Sequence, residues 1–359
     1  MAMIGFGLVG CGRIADRHIA SLGKCDSARL AALCDVQAAR MDAAEQEYSK
    51  LTGSAAEIAK YRDMSELLQD PRIEAVIIAT PSAHHAELAT RAIASGKHVM
   101  LEKPMALSLR DAEEIVLQAE ERQVIVQVCH QLRYKPAMMQ AKQLIDSGAM
   151  GRLYLGTIAM RLQRSEAYYA AAPWRGTWEQ DGGMLLNQGI HLIDLLQWFM
   201  GECDYVYGRM QRGPIAKQTE DVAAGIIQFK SGAIGIVEAN TLTYPGNYDN
   251  SITLFGEKGT ISIGGIGLND VRKWSFSDPS IPSPGEDADA DADEHFRMYD
   301  QFIRTIQGDP KSMAVCASDG KRALETIFAI YESVRTRKAA QLPLSSFSTA
   351  MMSDMEDWK

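Results

Sequence analysis

The stretch Gly10-Cys11-Gly12-Arg13-Ile14-Ala15 restricts the fold of this chain more than any other. It closes an apolar run at 4–9 and opens a helical pattern, which is the strand–turn–helix setting that a dinucleotide fingerprint requires. Gly10 suits the tight turn. Gly12 lets the backbone come close to a pyrophosphate, and Ala15 fills the small position where helix packs on strand. The free N–H groups and positive dipole end of the helix then face the phosphates. About 20 residues on, Asp35 ends a second apolar run at 30–34, the position of an acid that holds ribose hydroxyls. Val36 follows, and no arginine stands directly beside it to meet a 2′-phosphate; Arg40 lies a turn away. The cofactor predicted from these residues is NAD rather than NADP.

A chain of 359 residues suggests two domains. Its 46% hydrophobic and 23% charged residues are those of an ordinary globular protein with ample core. The net charge of −9 argues against a general nucleic-acid surface, which needs a basic stripe, but allows an anionic small molecule to be held by a few local arginines. The six cysteines, Cys11, Cys25, Cys34, Cys129, Cys203 and Cys316, form no CxxC pair, and no histidine cluster has zinc spacing. They read as reduced and structural, in a cytoplasmic protein. No signal peptide and no apolar run of about 18 residues is expected, hence no membrane partner.

The first third alternates strand and helix signals. Apolar runs at 4–9, 30–34, 76–79, 98–101 and 124–128 are separated by helical patterns at 41–51, 65–68, 85–94 and 111–122. This predicts a parallel, doubly wound α/β sheet over residues 1–130, with ligands at the carboxyl ends of the strands. Beyond 130 the pattern changes. Strands at 152–163, 206–211, 222–229, 233–238, 251–255 and 260–263 follow one another across turns such as Lys230-Ser231-Gly232. With flanking helices at 137–147, 189–199, 295–307 and 318–336, residues 131–359 predict an α+β domain with a large, mainly antiparallel open sheet. The alternating aspartates of 283–294 resemble the start of a calcium loop. Ala292 and Met298 stand where glycine and glutamate belong, so the expectation is a solvated loop and no metal. The tail after Leu344 is expected to be loosely held.

Glu102-Lys103-Pro104 follows the fourth run at its carboxyl end, where a nicotinamide would lie. A lysine there can hold a substrate oxygen and stabilise negative charge developing on it; a surface lysine capping a strand is the plain alternative. Further on come Trp174-Arg175-Gly176-Thr177-Trp178, then Asp181, Asn187, His191 and Asp194. Asn187 and His191 are four apart and share one face of a helix. His191 can accept a proton near neutral pH, as dehydrogenation of an alcohol demands, and Asn187 can orient it or bind a substrate hydroxyl. A histidine serving only the core is the alternative, since Leu192, Leu195, Leu196 and Phe199 form an apolar stripe beside it.

Taken together these residues resemble the glucose–fructose oxidoreductase, inositol dehydrogenase and MocA family. The resemblance spans nearly the whole chain. It rests on the glycine fingerprint, Thr80-Pro81-Ser82 with His85, Gly96-Lys97-His98-Val99, Glu102-Lys103-Pro104, His191 with Asp194, and Ala329-Ile330-Tyr331-Glu332-Ser333. Within the family the chain is similar to the UDP-N-acetyl-2-amino-2-deoxy-glucuronate dehydrogenases of bacterial polysaccharide synthesis. Tyr168-Tyr169 through Trp178, Asn187-Gln188-Gly189-Ile190-His191 and Leu242-Thr243-Tyr244-Pro245 carry that likeness.

The resemblance implies catalytic roles for Lys103 and His191, with Asn187 where many members have aspartate. That departure removes a proton acceptor and leaves open whether Asp194 or Asp181 takes its part. It implies cofactor contacts at Gly10, Gly12, Arg13, Ile14, Asp35, Thr80, Pro81, His85, Glu102 and Lys103. Substrate contacts are implied at Arg133, Arg161, Tyr168, Trp174, Arg175, Asn187 and His191; arginine suits a carboxylate or pyrophosphate through its planar fork of donors. The expected activity is oxidation of a secondary sugar hydroxyl by hydride transfer to NAD, at C3 of UDP-N-acetylglucosaminuronate. The alternatives are an inositol or simple-sugar dehydrogenase, and a non-catalytic NAD-binding sensor. By the same analogy the chain is expected to form a homodimer or homotetramer. The dehydrogenase expectation requires Lys103 and His191 to converge beside the coenzyme.

Overall fold

The computed structural model describes residues 3–53, 57–284, 293–312, 314–353 and 355. Of the acidic stretch 283–294, residues 285–292 lie outside the described ones. The chain divides into two compact units. One comprises Met1–Ala106, Asp111–Tyr134 and Asp293–Lys321; the other comprises Leu107–Arg110, Lys135–Ala292 and Arg322–Lys359.

In chain order the first unit contains β1 (Ile4–Val9), α1 (Ala15–Leu22), β2 (Ala28–Cys34), α2 (Ala38–Thr52), β3 (Ala59–Tyr61), α3 (Met64–Gln69), β4 (Ala75–Ile78), α4 (His85–Ala94), β5 (His98–Leu101), α5 (Leu109–Arg122), whose first two residues belong to the second unit, and β6 (Val126–Val128). The six strands form one sheet in the order β3-β2-β1-β4-β5-β6, all in parallel pairs. β1 and β4 are buried along their whole length, as strands covered by helices on both faces must be. The winding reverses between β1 and β4, so the carboxyl ends of these two strands bound the crevice in which such sheets bind ligands.

The second unit continues with α6 (Pro136–Asp146), β7 (Leu153–Arg161), α7 (Glu166–Ala170), α8 (Ile190–Met200), β8 (Cys203–Gln211), β9 (Val222–Phe229), β10 (Ile234–Asn240), β11 (Asp249–Gly256), β12 (Gly259–Gly264) and β13 (Asp270–Phe276). The chain then returns to the first unit with α9 (Glu294–Ile306). It crosses back along α10 (Ala317–Thr336) and ends its sheet with β14 (Ala340–Gln341). The eight strands run β13-β12-β11-β7-β10-β9-β8-β14, antiparallel except for the β7–β10 pair. One face of this sheet is covered by helices: a Cβ on Gly156 would meet Leu196 and Met200 of α8, and one on Gly208 would meet Ile330 of α10.

Both sheets match the architecture expected from the sequence. Three strands did not stand out there. β3 has only three residues at a sheet edge, β13 carries Arg272 and Lys273 on an exposed edge, and β14 has two residues. The expectation of a loose tail is corrected. Phe347, Thr349 and Met352 are buried, and the Phe347 ring lies 4.9 Å from that of Phe328. The Leu109 N–H donates to the Phe347 carbonyl at 2.9 Å and the Thr349 N–H to the Leu107 carbonyl at 3.0 Å, which anchors the described part of the tail; residues 354 and 356–359 lie outside the described ones. All six cysteines are free thiols, and only Cys316 is exposed. Among the described residues no helix is long and apolar enough to cross a membrane.

Candidate active site

At the carboxyl end of β1 the chain turns at Gly10, whose φ of +93° is one that a side chain rarely adopts; a Cβ there would lie 2.6 Å from the Ala79 carbonyl oxygen. Around Gly12, by contrast, a Cβ would meet nothing within 4 Å, so its backbone stands open to a ligand. Arg13 is exposed and Ile14 half-buried, immediately before the first residue of α1. Asp35, at the end of β2, accepts the Cys11 N–H on Oδ2 and the Gln37 N–H on Oδ1, each at 2.8 Å. The Thr80 hydroxyl, past the end of β4, is buried and has no hydrogen-bond partner among the described residues, while Pro81 beside it is exposed. An open glycine, a strand-end aspartate and an orphaned hydroxyl along one strand edge are the groups a dinucleotide would use, and the residues present fit NAD.

His85 opens α4 and is fully buried. Its Nδ1 lies 2.7 Å from the Pro104 carbonyl oxygen and its Nε2 2.8 Å from that of Thr80. It therefore ties the chain after β4 to the chain after β5. Burial is the larger influence on its imidazole and pushes the pKa down, against the two carbonyls that favour a proton on each nitrogen. Glu102 is buried as well. Burial pushes its carboxyl up, but the hydrogen bond from His18 and the charge of Lys103 outweigh this and hold it at about 2. Its Oε2 accepts the Lys103 N–H at 3.2 Å, and Lys103 itself is half-buried. Arg133, also buried in this unit, has Nη1 3.6 Å from Asp319 Oδ1.

In the second unit a π-turn at Leu185–Gly189 leads directly into α8, whose first turn carries the half-buried His191. Such turns recur at functional sites because the wider ring re-aims the side chains around it. Asn187 lies within this turn. Its Nδ2 donates to Asp181 Oδ1, and its Oδ1 accepts from Gln188 Nε2 at 3.0 Å. Of the two acids left open by the sequence, Asp181 accepts from Asn187, and Asp194 is buried in α8. Gln188 Nε2 also donates to the Tyr168 hydroxyl at 3.0 Å. The Arg175 guanidinium lies 4.3 Å from the Tyr168 ring centre and 5.5 Å from that of Trp174, and its Nη1 donates to the Tyr168 carbonyl at 2.8 Å. A continuous path thus joins Asp181, Asn187, Gln188, Tyr168 and Arg175. The Nε–H of Arg175 is buried with no partner among the described residues. Arg161 differs: both arms of its fork engage Glu238 at 2.6 Å.

Three participants did not stand out in the sequence. Gln188 links the π-turn to Tyr168. His18 stands within the buried stripe of α1, where one polar residue among Ala15, Ile19 and Leu22 was the available signal. Glu220 is buried behind the turn, and its Oε1 accepts from the Leu185 N–H at 2.9 Å and from the Tyr331 hydroxyl at 2.8 Å. Burial pushes its carboxyl up to about 7. Lys217, whose pKa burial pushes down, lies 3.3 Å from Asp221.

Residues 4–130 match the family described as oxidoreductase family, NAD-binding Rossmann fold, and residues 138–262 match the GFO/IDH/MocA C-terminal domain. The WlbA dehydrogenase of Bordetella pertussis, solved in complex with NADH and UDP-GlcNAcA, is 34% identical to this chain over 96% of it and 100% of that chain, with a TM-score of 0.84. The scyllo-inositol 2-dehydrogenase (NAD(+)) of Bacillus subtilis is 31% identical over 74% of this chain and 73% of its own length. The myo-inositol 2-dehydrogenase of Thermotoga maritima is 27% identical over 94% of this chain and 98% of its own length. The chain belongs to the Gfo/Idh/MocA family of NAD-binding oxidoreductases.

Proposed function

We propose that this protein oxidises a secondary hydroxyl of a nucleotide-linked sugar acid, at C3 of UDP-N-acetylglucosaminuronate, with NAD as hydride acceptor. The observation that carries the reading is the path from the π-turn before His191 to the Arg175–Tyr168–Trp174 cluster. It links the turn that precedes His191 to a cation with a buried, unfilled donor, and a substrate that is both an alcohol and an anion needs both groups. The likeness to an enzyme solved with NADH and UDP-GlcNAcA supports it.

Gly10, Gly12, Asp35 and Thr80 would hold the dinucleotide, which when bound accepts a hydride from the carbinol carbon. Lys103 donates a hydrogen bond to the hydroxyl oxygen and stabilises the negative charge that develops there. His191 takes the hydroxyl proton, and the carbon is left as a ketone. Asn187, already donating to Asp181 and accepting from Gln188, orients the turn and does not serve as the base. Arg175 is assigned the anionic part of the substrate in preference to Arg161, whose fork Glu238 fills. The second reading, a free inositol or simple sugar, is favoured by the named sequence relatives. NADH formation on a panel of UDP-N-acetylglucosaminuronate, myo-inositol and scyllo-inositol separates the two. Turnover confined to the inositols overturns the nucleotide-sugar assignment.

A further inference from the structure

Beneath the strand end that carries Lys103 lies a chain of buried polar groups that the reaction above does not use. His18 is fully buried on α1. Its Nδ1 lies 2.7 Å from the hydroxyl of Tyr299, which α9 supplies from 281 residues further along the chain. Its Nε2 lies 3.1 Å from Glu102 Oε1. The other carboxylate oxygen accepts the Lys103 N–H. An ionised carboxylate only accepts, so Nε2 of His18 carries a proton and donates it; the tyrosine hydroxyl then fills Nδ1. A histidine needed only for packing would be replaced there by any apolar residue without leaving a buried group unpaired.

The surroundings keep Glu102 anionic. His18 and Lys103 outweigh its burial. His85 of α4 and His295 of α9 also sense its charge. The Cys129 thiol beside it is held well above its ordinary pKa by burial and by the carboxylate, so it stays protonated.

We propose that Tyr299 and His18 are positioning residues for Lys103: they lock Glu102 in one orientation, so that its carboxylate fixes the Lys103 backbone and keeps a negative charge beside the ammonium that holds the substrate oxygen. This rests on the reading of Lys103 as the group at the reacting oxygen. His18, Glu102 and Cys129 also bring three potential ligand atoms within 4.8 Å of one another, the spacing of a metal site. A positioning role and a metal role make opposite predictions.

The test uses the full-length protein and the variants Glu102→Gln, His18→Leu, His18→Gln and Tyr299→Phe. Two readouts are needed. The first is the titration of Lys103 by NMR of 13C-labelled lysine, assigned with Lys103→Met, which requires no substrate. Losing the carboxylate charge in Glu102→Gln should lower the pH at which Lys103 titrates by about one unit, a tenfold change in its acid dissociation. His18→Leu should shift it in the same direction, and His18→Gln, whose amide keeps a donor at the Nε2 position, should restore it. The second readout is kcat against pH with UDP-N-acetylglucosaminuronate or, should turnover lie there, inositol. His18→Leu should lose about 10²-fold in kcat, with its alkaline limb displaced to lower pH and KM for NAD changed less than twofold. Tyr299→Phe should lie between wild type and His18→Leu. A Lys103 titration unmoved in Glu102→Gln overturns the proposal, as does stoichiometric metal in the purified protein that Cys129→Ser abolishes. A wild type inactive on every sugar would instead sink the dehydrogenase reading, and the lysine titration would still decide the positioning one.

Discussion

The carboxylate of Asp35 and the backbone N–H of Cys11 are joined by a 2.8 Å hydrogen bond, which ties the end of β2 to the glycine turn that follows β1. The acid proposed to select the cofactor thus also braces the glycine turn. A carboxylate at this position repels a 2′-phosphate, and Val36 beside it is exposed and carries no charge to offset that repulsion. Asp35→Ser keeps a short acceptor for the turn but removes the charge. The ratio of kcat/KM for NADP to that for NAD should rise by about tenfold or more, since removing a like-charge repulsion at a buried position such as that of Asp35 is worth more than about 1.4 kcal/mol. A wild type that already prefers NADP, or a variant with an unchanged ratio, contradicts the role given to Asp35.

Lys103 and His191 belong to different units, and the separate roles proposed for them can be tested independently. Lys103→Met and His191→Ala should each lower kcat by about 10²–10⁴-fold, the range for a positioned acid–base or electrostatic group. NADH binding, followed by fluorescence, should survive both changes. Combining them should cost less than the product of the single losses, because groups acting on one oxygen are not additive. Near-native turnover of His191→Ala would leave the proton without its proposed acceptor.

How much of this was legible beforehand depends on the distance over which each signal acts. The parallel sheet was readable because buried strands such as Ile4–Val9 and Ala75–Ile78 are continuous apolar runs, punctuated by glycine where the turn demands a positive φ. The antiparallel sheet was readable from alternation, with Cys203–Gln211 alternating buried and exposed over most of its length. The packing of α9 in the first unit was not readable. Met298, Tyr299, Phe302 and Ile303 enter the core of that unit, and Tyr299 bonds His18, 281 residues away; no local pattern encodes such a pairing. The π-turn was hidden for a different reason: Leu185–Gly189 has ordinary helical composition, and Glu220, which accepts the Leu185 N–H, comes from another part of the chain. Asp35 stood out by its spacing from the glycine fingerprint, and Lys103 and His191 by the motifs that carry the family resemblance. Glu220 and Gln188 were missed because acid and amide side chains are common and only their burial or partners single them out.

Glu220 makes stability depend on pH in a direction opposite to that of most carboxylates. Its folded carboxyl titrates at about 7, above the 4.5 of an ordinary glutamate, with burial as the cause. Between those two values the folded chain binds a proton that the unfolded chain releases, so this group makes the protein less stable as pH rises, and the loss is complete above about 7. The magnitude is on the order of 3 kcal/mol. Glu220→Gln keeps an acceptor for Leu185 and Tyr331 and never ionises. The Tm of the variant minus that of wild type should therefore grow by several degrees from pH 5 to pH 8. A constant difference would show that Glu220 ionises at its ordinary value.

Arg175 separates the two substrate readings. Its guanidinium lies 4.3 Å from the Tyr168 ring centre and 5.5 Å from that of Trp174, outside the main core, so its removal tests the proposed anion contact. Arg175→Ala should raise KM for UDP-N-acetylglucosaminuronate by about 10–100-fold, the range of one charge-assisted hydrogen bond of about 1.5–3 kcal/mol. KM for myo-inositol, which bears no charge, should change by less than threefold. Equal effects on both would mean that Arg175 supports the loop and not the ligand.

The uncovered face of the eight-stranded sheet carries the last prediction. Tyr207, Ile226 and Ile236 stand opposite one another across β8, β9 and β10, and each is more than 40% exposed. Ile234 and Phe255 extend the apolar surface in the neighbouring row, on β10 and β11, each opposite Leu155 of β7. A contiguous row of this kind on a flat sheet marks an interface, because single exposed apolar residues are ordinary whereas aligned ones are not. Its occupant is expected to be the same face of a second copy, since a two-fold pairing lets one apolar row cover its equal. Ile226→Glu places a charge at the middle of that row. It should convert the expected dimer or tetramer into monomer, as measured by light scattering, with the far-ultraviolet circular dichroism of the chain unchanged. A wild type that is already monomeric at micromolar concentration would leave the row without the proposed partner.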